Sequence, residues 1–321
     1  MHKYILSIVA FTSILLFNPS VAQSFPTRPI KLVVPFAPGG PADIAARLMA
    51  EQLGKRMRQP VVVENRVGAG GSVGTEAVAV SAPDGYTIGI ASVSTHVVNP
   101  SCNSKLRYDP IKSFTPLSLV ADMPFVIVGR TGLAADFRAF ERALRSKPAP
   151  TFGTPGNCSL GHVMLEHLNQ ALSGELLHVP YKGSAPAATD LLGGSLDFMG
   201  DTVAVLGPHI EAGKMTPLAV VWPKRVTTLK DVPTFAELGY GSVNLTAWYG
   251  VVAPAGLPAA IVGQFEVAIA QSLADPDLQA KFDKAGIAPV RGVGSREFKT
   301  FLEQRYRSEA TFIRSRKMSA E

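Results

Sequence analysis

The chain has 321 residues, 46% hydrophobic and 17% charged, with 31 Lys and Arg against 25 Asp and Glu and a formal net charge of +6. This composition excludes an intrinsically disordered protein, and the length suits two lobes better than one core. The basic residues are scattered except for Arg305 to Lys317, a run interleaved with apolar residues that reads as the solvated face of a last helix. Without a basic, aromatic-studded stripe, nucleic acid is not an expected partner.

The first segment reads as an export signal. His2 and Lys3 give a basic start, Ile5 to Phe17 is apolar and short for a membrane span, and Ser20-Val21-Ala22 supplies small residues for cleavage after Ala22. Removing it leaves 30 basic against 25 acidic residues, a net charge of about +5 by that count. No cysteine stands directly after the cut to carry a lipid anchor, and no later segment is apolar enough to cross a membrane, so the mature chain is expected to be exported and soluble, in the periplasm. Cys102 and Cys158 are the two cysteines. They could pair in an oxidising compartment, but they fall in what are expected to be different lobes, where a disulfide would lock a hinge. Two free thiols are therefore the expectation.

Strand and helix then alternate. Ile30 to Val34 is a strand, broken at Pro35 to Gly40 and followed by a helix whose apolar side carries Ile44, Leu48 and Leu53. Pro41 suits the first turn of that helix. Val61 to Glu64 is a strand, Ser72 to Ser81 a helix and Tyr86 to Ala91 a strand, an order that implies a parallel sheet with helices on both faces. Leu117 to Gly129, broken at Asp122-Met123-Pro124, reads as one strand leaving the first lobe and another entering the second. Residues 133 to 147 are expected to be helical. Strands follow at Thr151 to Gly153, Leu177 to Pro180, Leu196 to Met199 and Leu218 to Val221, with helices ending near Leu172 and spanning Ala185 to Leu192. Ala247 to Val252 reads as a strand returning to the first lobe, closed by helices at Ala259 to Leu273 and Arg296 to Arg314.

Two loops carry the chemistry. Phe36 to Asp43 and Thr154 to His162 each present glycines and a helix start, where free N–H groups and the macrodipole favour an anion. Either alone reads as an ordinary strand-to-helix turn. Facing each other, they could hold one carboxylate from both sides with neutral donors. Asp43 is expected to act structurally near its helix start, with acceptance from a ligand hydroxyl, amine or water as the alternative. Gly68-x-Gly70 lacks the third glycine of a dinucleotide fingerprint, because position 73 is Val73. Asn157-Cys158-Ser159-Leu160-Gly161 resembles a nucleophile elbow without its first glycine, with Asp201 and His209 downstream in the order a triad needs. An exported hydrolase using Ser159 or Cys158 is thus the alternative to a binding site. The spacing His162-x-x-x-Glu166-His167 is one residue too long for a zinc signature, and no metal or cofactor is expected. His96 is kept as a pocket candidate after Ser94 and Thr95, Tyr181 as a residue that gates or lines the cleft, and Trp248 as either core or cleft wall.

The chain resembles the Bug-type extracytoplasmic solute receptors of tripartite tricarboxylate transporters over nearly its whole mature length. The residues that carry the likeness are Pro29 to Gly40 with Asp43 and Arg47, Glu64-Asn65-Arg66 with Gly68 to Gly71, Ala82 to Thr87, Tyr108-Asp109-Pro110, His178 to Gly183, Asp190 to Gly194, and Leu229 to Thr234. The resemblance implies an α/β, two-lobed Venus-flytrap fold, each lobe a mainly parallel sheet flanked by helices. Lobe 1 would be residues 23–122 and 248–321, and lobe 2 residues 123–247. It implies a monomer with no catalytic role that closes on a small organic carboxylate and passes it to membrane permease subunits. Carried over by position, the ligand residues would be Phe36, Ala37, Gly39, Pro41, Ala42 and Asp43 in the first loop and Gly156, Asn157, Cys158, Ser159 and His162 in the second. Ser94, Tyr181 and Asp201 would line the cleft. The chain departs from the family pattern at Cys158, where Gly, Ser or Thr is usual, at Ser101-Cys102-Asn103, and in a shortened Gly129 to Pro150 segment.

Overall fold

A computed structural model describes residues 25–320. The expected signal segment, residues 1–22, lies outside the described residues. The chain enters β1 (Ile30–Val34), then α1 (Pro41–Met57), β2 (Val61–Asn65), α2 (Ser72–Ala79) and β3 (Thr87–Ser92). A helical stretch at Ser94–Val98 runs into the short α3 (Asn99–Cys102), which the alternating pattern did not reveal. β4 (Phe114–Met123) leads through Pro124 to β5 (Phe125–Arg130). Next come α4 (Phe137–Ala143), β6 (Thr151–Thr154), α5 (Leu160–Ala171), β7 (Leu177–Pro180), α6 (Ser184–Leu192), β8 (Phe198–Thr202), α7 (Val203–Glu211) and β9 (Met215–Val221). β10 (Ala247–Pro254), α8 (Ala259–Leu273), α9 (Pro276–Lys284), β11 (Ala288–Pro289) and α10 (Ser295–Ser315) complete the described chain.

The strands form two sheets, one in each lobe. The first has the order β11-β4-β10-β3-β1-β2 and the second β7-β6-β8-β5-β9. Both are mixed, where mainly parallel sheets were expected, and both are flanked by helices as expected. β1 runs parallel to β2 and β3, and β6 parallel to β7 and β8, but β10 is antiparallel to β3 and β4, and β5 to β8 and β9. The reason is the crossing between lobes. β4 leaves the first sheet at Met123, and β10 returns opposite it, with Ala247 paired to Met123, so the two must run in opposite senses. Pro124, which has no N–H to give a ladder, ends the first sheet there, and its carbonyl accepts from Val203 N at 2.9 Å.

Several helices differ from expectation for local reasons. α4 is shorter than residues 133–147 because it starts only at Asp136, whose side chain caps Ala139 N at 2.8 Å. α7 was missed because Pro208 sits inside it, and α9 follows the Asp275-Pro276 start signal, where Asp275 caps Asp277 N at 3.0 Å. The buried core does not stop at the lobe boundary. One apolar cluster joins Val33, Ala91 and Val97 of the first lobe to Phe125, Phe152, Val163 and Phe198 of the second. α10 also spans the two. Its Phe298 meets Trp248 of β10 edge-on at 6.0 Å, and further along Glu309 pairs with His167 of α5 at 2.9 Å while Phe312 stacks on the same imidazole at 3.9 Å.

Candidate functional site

At the end of β1 the backbone turns through Phe36 to Gly40 into α1, with Pro41 in the first turn and no side-chain cap. Gly39 has φ +81°, left-handed backbone that suits glycine. The turn is held by Asp43. Its Oδ2 accepts from Gly39 N and from Arg47 Nε, both at 2.9 Å, and its Oδ1 accepts from Asn65 Nδ2 at 2.8 Å. Asn65 Nδ2 also donates to Phe36 O at 3.0 Å. Burial works to raise the Asp43 carboxyl, but the bonds from Arg47, Gly39 and Asn65 together hold it below the ordinary carboxylate value. The Gly39 N–H is therefore spent inside the loop. The amides at the start of α1, Ala42 and Asp43, are the ones a helix leaves without intrahelical partners.

The second loop leaves β6 at Thr154, passes Gly156 (φ +142°) and Cys158 (φ +50°), and enters α5. Ser159 is the N-cap, its Oγ accepting from His162 N at 3.2 Å. Cys158 N donates to His162 Nδ1 at 3.1 Å, which leaves the ring proton on Nε2. His162 stacks on His178 at 3.9 Å, and Thr154 Oγ1 bonds His178 Nε2 at 2.7 Å. Burial, with His178 as the second cause, pushes His162 down to about 4, and burial lowers His178 as well. Both rings are neutral near pH 7.

The two free thiols expected from the sequence are corrected. Cys102 and Cys158 form a disulfide, with Cα atoms 6.3 Å apart, because α3 and the second loop come together across the lobe interface. The proposed cysteine nucleophile is corrected with it, since Cys158 has no thiol to ionise.

A cavity of about 230 Å³ lies between the sheets. The first loop contributes Phe36, Gly40, Pro41 and Ala42, and the second Pro155, Ser159, Leu160 and Gly161. The end of β3 adds Ser92, Val93 and Ser94, the α6 and β8 region Ser184, Asp201, Thr202 and Val205, and the crossing strands Phe125, Ala247, Trp248 and Tyr249. No Lys, Arg or His is among the described residues that line it. Asp201 is the one carboxyl that does. It accepts from Ser184 Oγ and from Thr202 N, and burial raises its pKa, the bonds from Ser184 and Thr202 opposing that rise. Burial and the nearby Asp201 also raise the Tyr249 phenol.

Of the residues singled out from the sequence, Phe36, Pro41, Ala42, Ser94, Ser159 and Asp201 line this cavity. Ala37, Gly39, Asp43, Gly156, Asn157, Cys158 and His162 shape the two loops behind it or are exposed beside it. Tyr181 is turned to Asp190, its hydroxyl donating to Oδ2 at 2.8 Å. His96 is corrected as a pocket candidate. It is fully buried against Phe114, with ring centroids 4.7 Å apart, hydrogen-bonded to Thr95 Oγ1, and pushed down to about 3 by burial. Trp248 is both core and wall, packed edge-on to Phe301 at 5.3 Å while bordering the cavity. Sequence reasoning missed Leu160, Gly161 and Ser184. Its available signal was that a helix offers its free amides in the first turn, one or two residues beyond the loop that catches the eye. No cluster of three or more His, Cys, Asp or Glu that could hold a metal is found among the described residues. No helix among them is long and apolar enough to cross a membrane.

Comparison with known proteins agrees with this fold. The profile of the tripartite tricarboxylate transporter family receptor matches residues 45–318. Protein BugT of Bordetella pertussis is 35% identical over 275 residues, covering 85% of this chain and 84% of its own. MatC from Rhodopseudomonas palustris with bound malate superposes with a TM-score of 0.79 at 30% identity, covering 90% of this chain and 100% of that one. An R. palustris protein with adipate gives 0.83 at 31% identity, covering 92% and 99%.

Proposed function

Because the chain belongs to the tripartite tricarboxylate transporter receptor family, we propose that it captures a small organic carboxylate between its lobes and hands it to the membrane subunits of such a transporter. The observation that carries this reading is the pair of helix N-termini, α1 from one lobe and α5 from the other, on one cavity that no cationic side chain lines. An anion there is held by amides, hydroxyls and two helix dipoles. The amides of Ala42, Asp43, Leu160 and Gly161 and the hydroxyls of Ser94 and Ser159 form the grip. A cavity of about 230 Å³ suits a small acid, and the R. palustris relatives hold malate and adipate. Closure of the lobes, 23–122 with 248–321 against 123–247, reports occupancy to the permease, because a ligand that touches both lobes favours the closed state. The receptor works as a monomer in the periplasm, after removal of residues 1–22, and needs no cofactor.

Catalysis is not part of this reading. The Ser159 hydroxyl serves as the α5 cap, Asp201 is engaged with Ser184, and His209 lies in the last turn of α7. The test is a thermal-shift screen of the purified protein over mono-, di- and tricarboxylates, amino acids and aromatic acids. At least one acid is expected to raise Tm in a concentration-dependent way. No response to any acid, together with ester hydrolysis that Ser159→Ala abolishes, would overturn the reading in favour of a hydrolase.

A further inference from the structure

Cys102 ends α3 on the first-lobe side of the cleft, and Cys158 precedes the N-cap of α5 on the second. The cysteines are 56 positions apart, and the chain between them includes β4, Pro124 and β5, so it already joins the lobes once inside this covalent ring. The disulfide adds a covalent connection independent of the two chain crossings. Its Cα atoms are 6.3 Å apart, near the upper end of the roughly 4.4–6.8 Å that a disulfide permits. In the oxidised protein the start of α5 therefore cannot move away from α3. Yet Ser159, Leu160 and Gly161, which bring the start of α5 to the cavity, follow Cys158 directly. An opening that carries them off the first lobe is blocked while the bond is intact.

We propose that the Cys102–Cys158 disulfide is a redox clasp that keeps the second loop against the first lobe, so that ligand exchange is slow when it is oxidised and fast when it is reduced. The agent is a dithiol. Cys102 is the less buried partner, so a dithiol thiolate attacks its Sγ, forms a mixed disulfide there, and expels Cys158 as a thiolate that then takes a proton. The N-terminus of α5 stabilises that leaving thiolate. The second thiol of the reagent attacks its own sulfur in the mixed disulfide and expels Cys102, which is protonated in turn. Two electrons and two protons pass to the protein, and the dithiol becomes a cyclic disulfide. The effect on ligand exchange rests on the receptor reading, but the clasp itself does not.

The experiment uses the exported, air-oxidised protein with and without dithiothreitol, beside the Cys102→Ser/Cys158→Ser double variant. Alkylation is expected to label no thiol before reduction and two after it. Small-angle scattering should show a larger radius of gyration in the reduced protein, and hydrogen exchange of the amides at 155–164 should quicken on the order of tenfold with far-UV dichroism unchanged. The double variant should copy the reduced protein. If it does not fold, the reduced wild-type chain decides alone. Labelling without reduction, identical scattering and exchange in both states, or global unfolding on reduction would each overturn the clasp. Dissociation of malate and adipate is followed in parallel. Expansion on reduction with neither malate, adipate nor any other acid of the thermal-shift screen bound in either state keeps the clasp and removes the receptor reading, whereas binding with equal off-rates in both states removes the clasp alone.

Discussion

The two loops share a backbone plan, a strand, a proline, a left-handed glycine and a helix start, but they are stapled by opposite chemistry. The first is held by charge. Asp43 is buried, and one carboxylate gathers Gly39, Arg47 and Asn65. The second is held by neutral groups and a covalent bond, through the Ser159 hydroxyl, the uncharged His162 ring, Thr154 and the link to Cys102. The contrast separates the shape of an anion site from its electrostatics. A carboxylate beneath one loop is tolerable because Arg47 and two further donors neutralise it there, and its oxygens turn away from the cavity into the loop. The other loop is held by neutral hydrogen-bond partners, and an uncharged imidazole fixes the turn without adding a second charge.

The strongest way to break this contrast is to remove the charged staple. Asp43→Ala strips the acceptor from three donors and should cost about 3–4 kcal/mol, read as a lowered denaturation midpoint at unchanged m, with weaker carboxylate binding. Next come the two glycines. Gly156→Ala places a Cβ 3.2 Å from Tyr181 O at φ +142° and should lose roughly 2–3 kcal/mol. Gly39→Ala meets no atom within 4 Å and should lose about 1 kcal/mol from left-handed backbone alone. Equal losses in parallel melts would contradict the packing described for the second loop. Ser159→Ala removes an N-cap and should cost about 1 kcal/mol, while calorimetry should show weakened but not abolished carboxylate binding.

The smallest effect, and the one that sharpens the contrast most, is on pH. Both staples favour their working protonation state, but in different windows. His162 is depressed to about 4 from an ordinary 6.5, so between those values the unfolded chain takes up a proton that the folded chain refuses, and stability falls as pH drops through that range. His178, also lowered, adds in the same direction. Asp43 is depressed too, but as an acid, so its contribution is whole above the ordinary 3.8 and is lost only below it. Melting temperature measured from pH 7 to pH 4 should therefore fall less steeply in His162→Asn than in the parent. Asp43→Asn should leave the slope in that window as it was. A slope that follows Asp43 instead would reverse the assignment of the two staples.

Much of this was legible in the chain. Pro35 to Pro41 announces a strand, a break and a helix, and Pro155 with Gly156 announces the same. Those turns contain Phe36, Pro41, Ala42 and Ser159 of the residues now found on the cavity, whereas Ser94 and Asp201 were named for the cleft through the family resemblance. Ser184 was less visible, because it reaches the cleft only through the packing of α6 beside β8, where it meets Asp201. His96 read as a pocket residue because it follows a strand end, but the helical stretch there turns it into the core beside Phe114 and Tyr108. Tyr181 sits in a loop of the expected kind and is drawn off by Asp190, nine residues later on α6. In each case a partner distant in sequence or the rotation of a helical turn set the direction of the side chain.

By itself the sequence determined the alternation of strands and helices, the two chain crossings and the two anion-favouring turns, because these follow from short-range hydrophobic period, proline and glycine. Tertiary structure alone decided which amides of those turns remain free, that α10 ties the lobes together along α5, and that Cys102 and Cys158 meet. Pairing across 56 residues depends on where two rigid lobes come to rest against each other, and no local pattern encodes that distance.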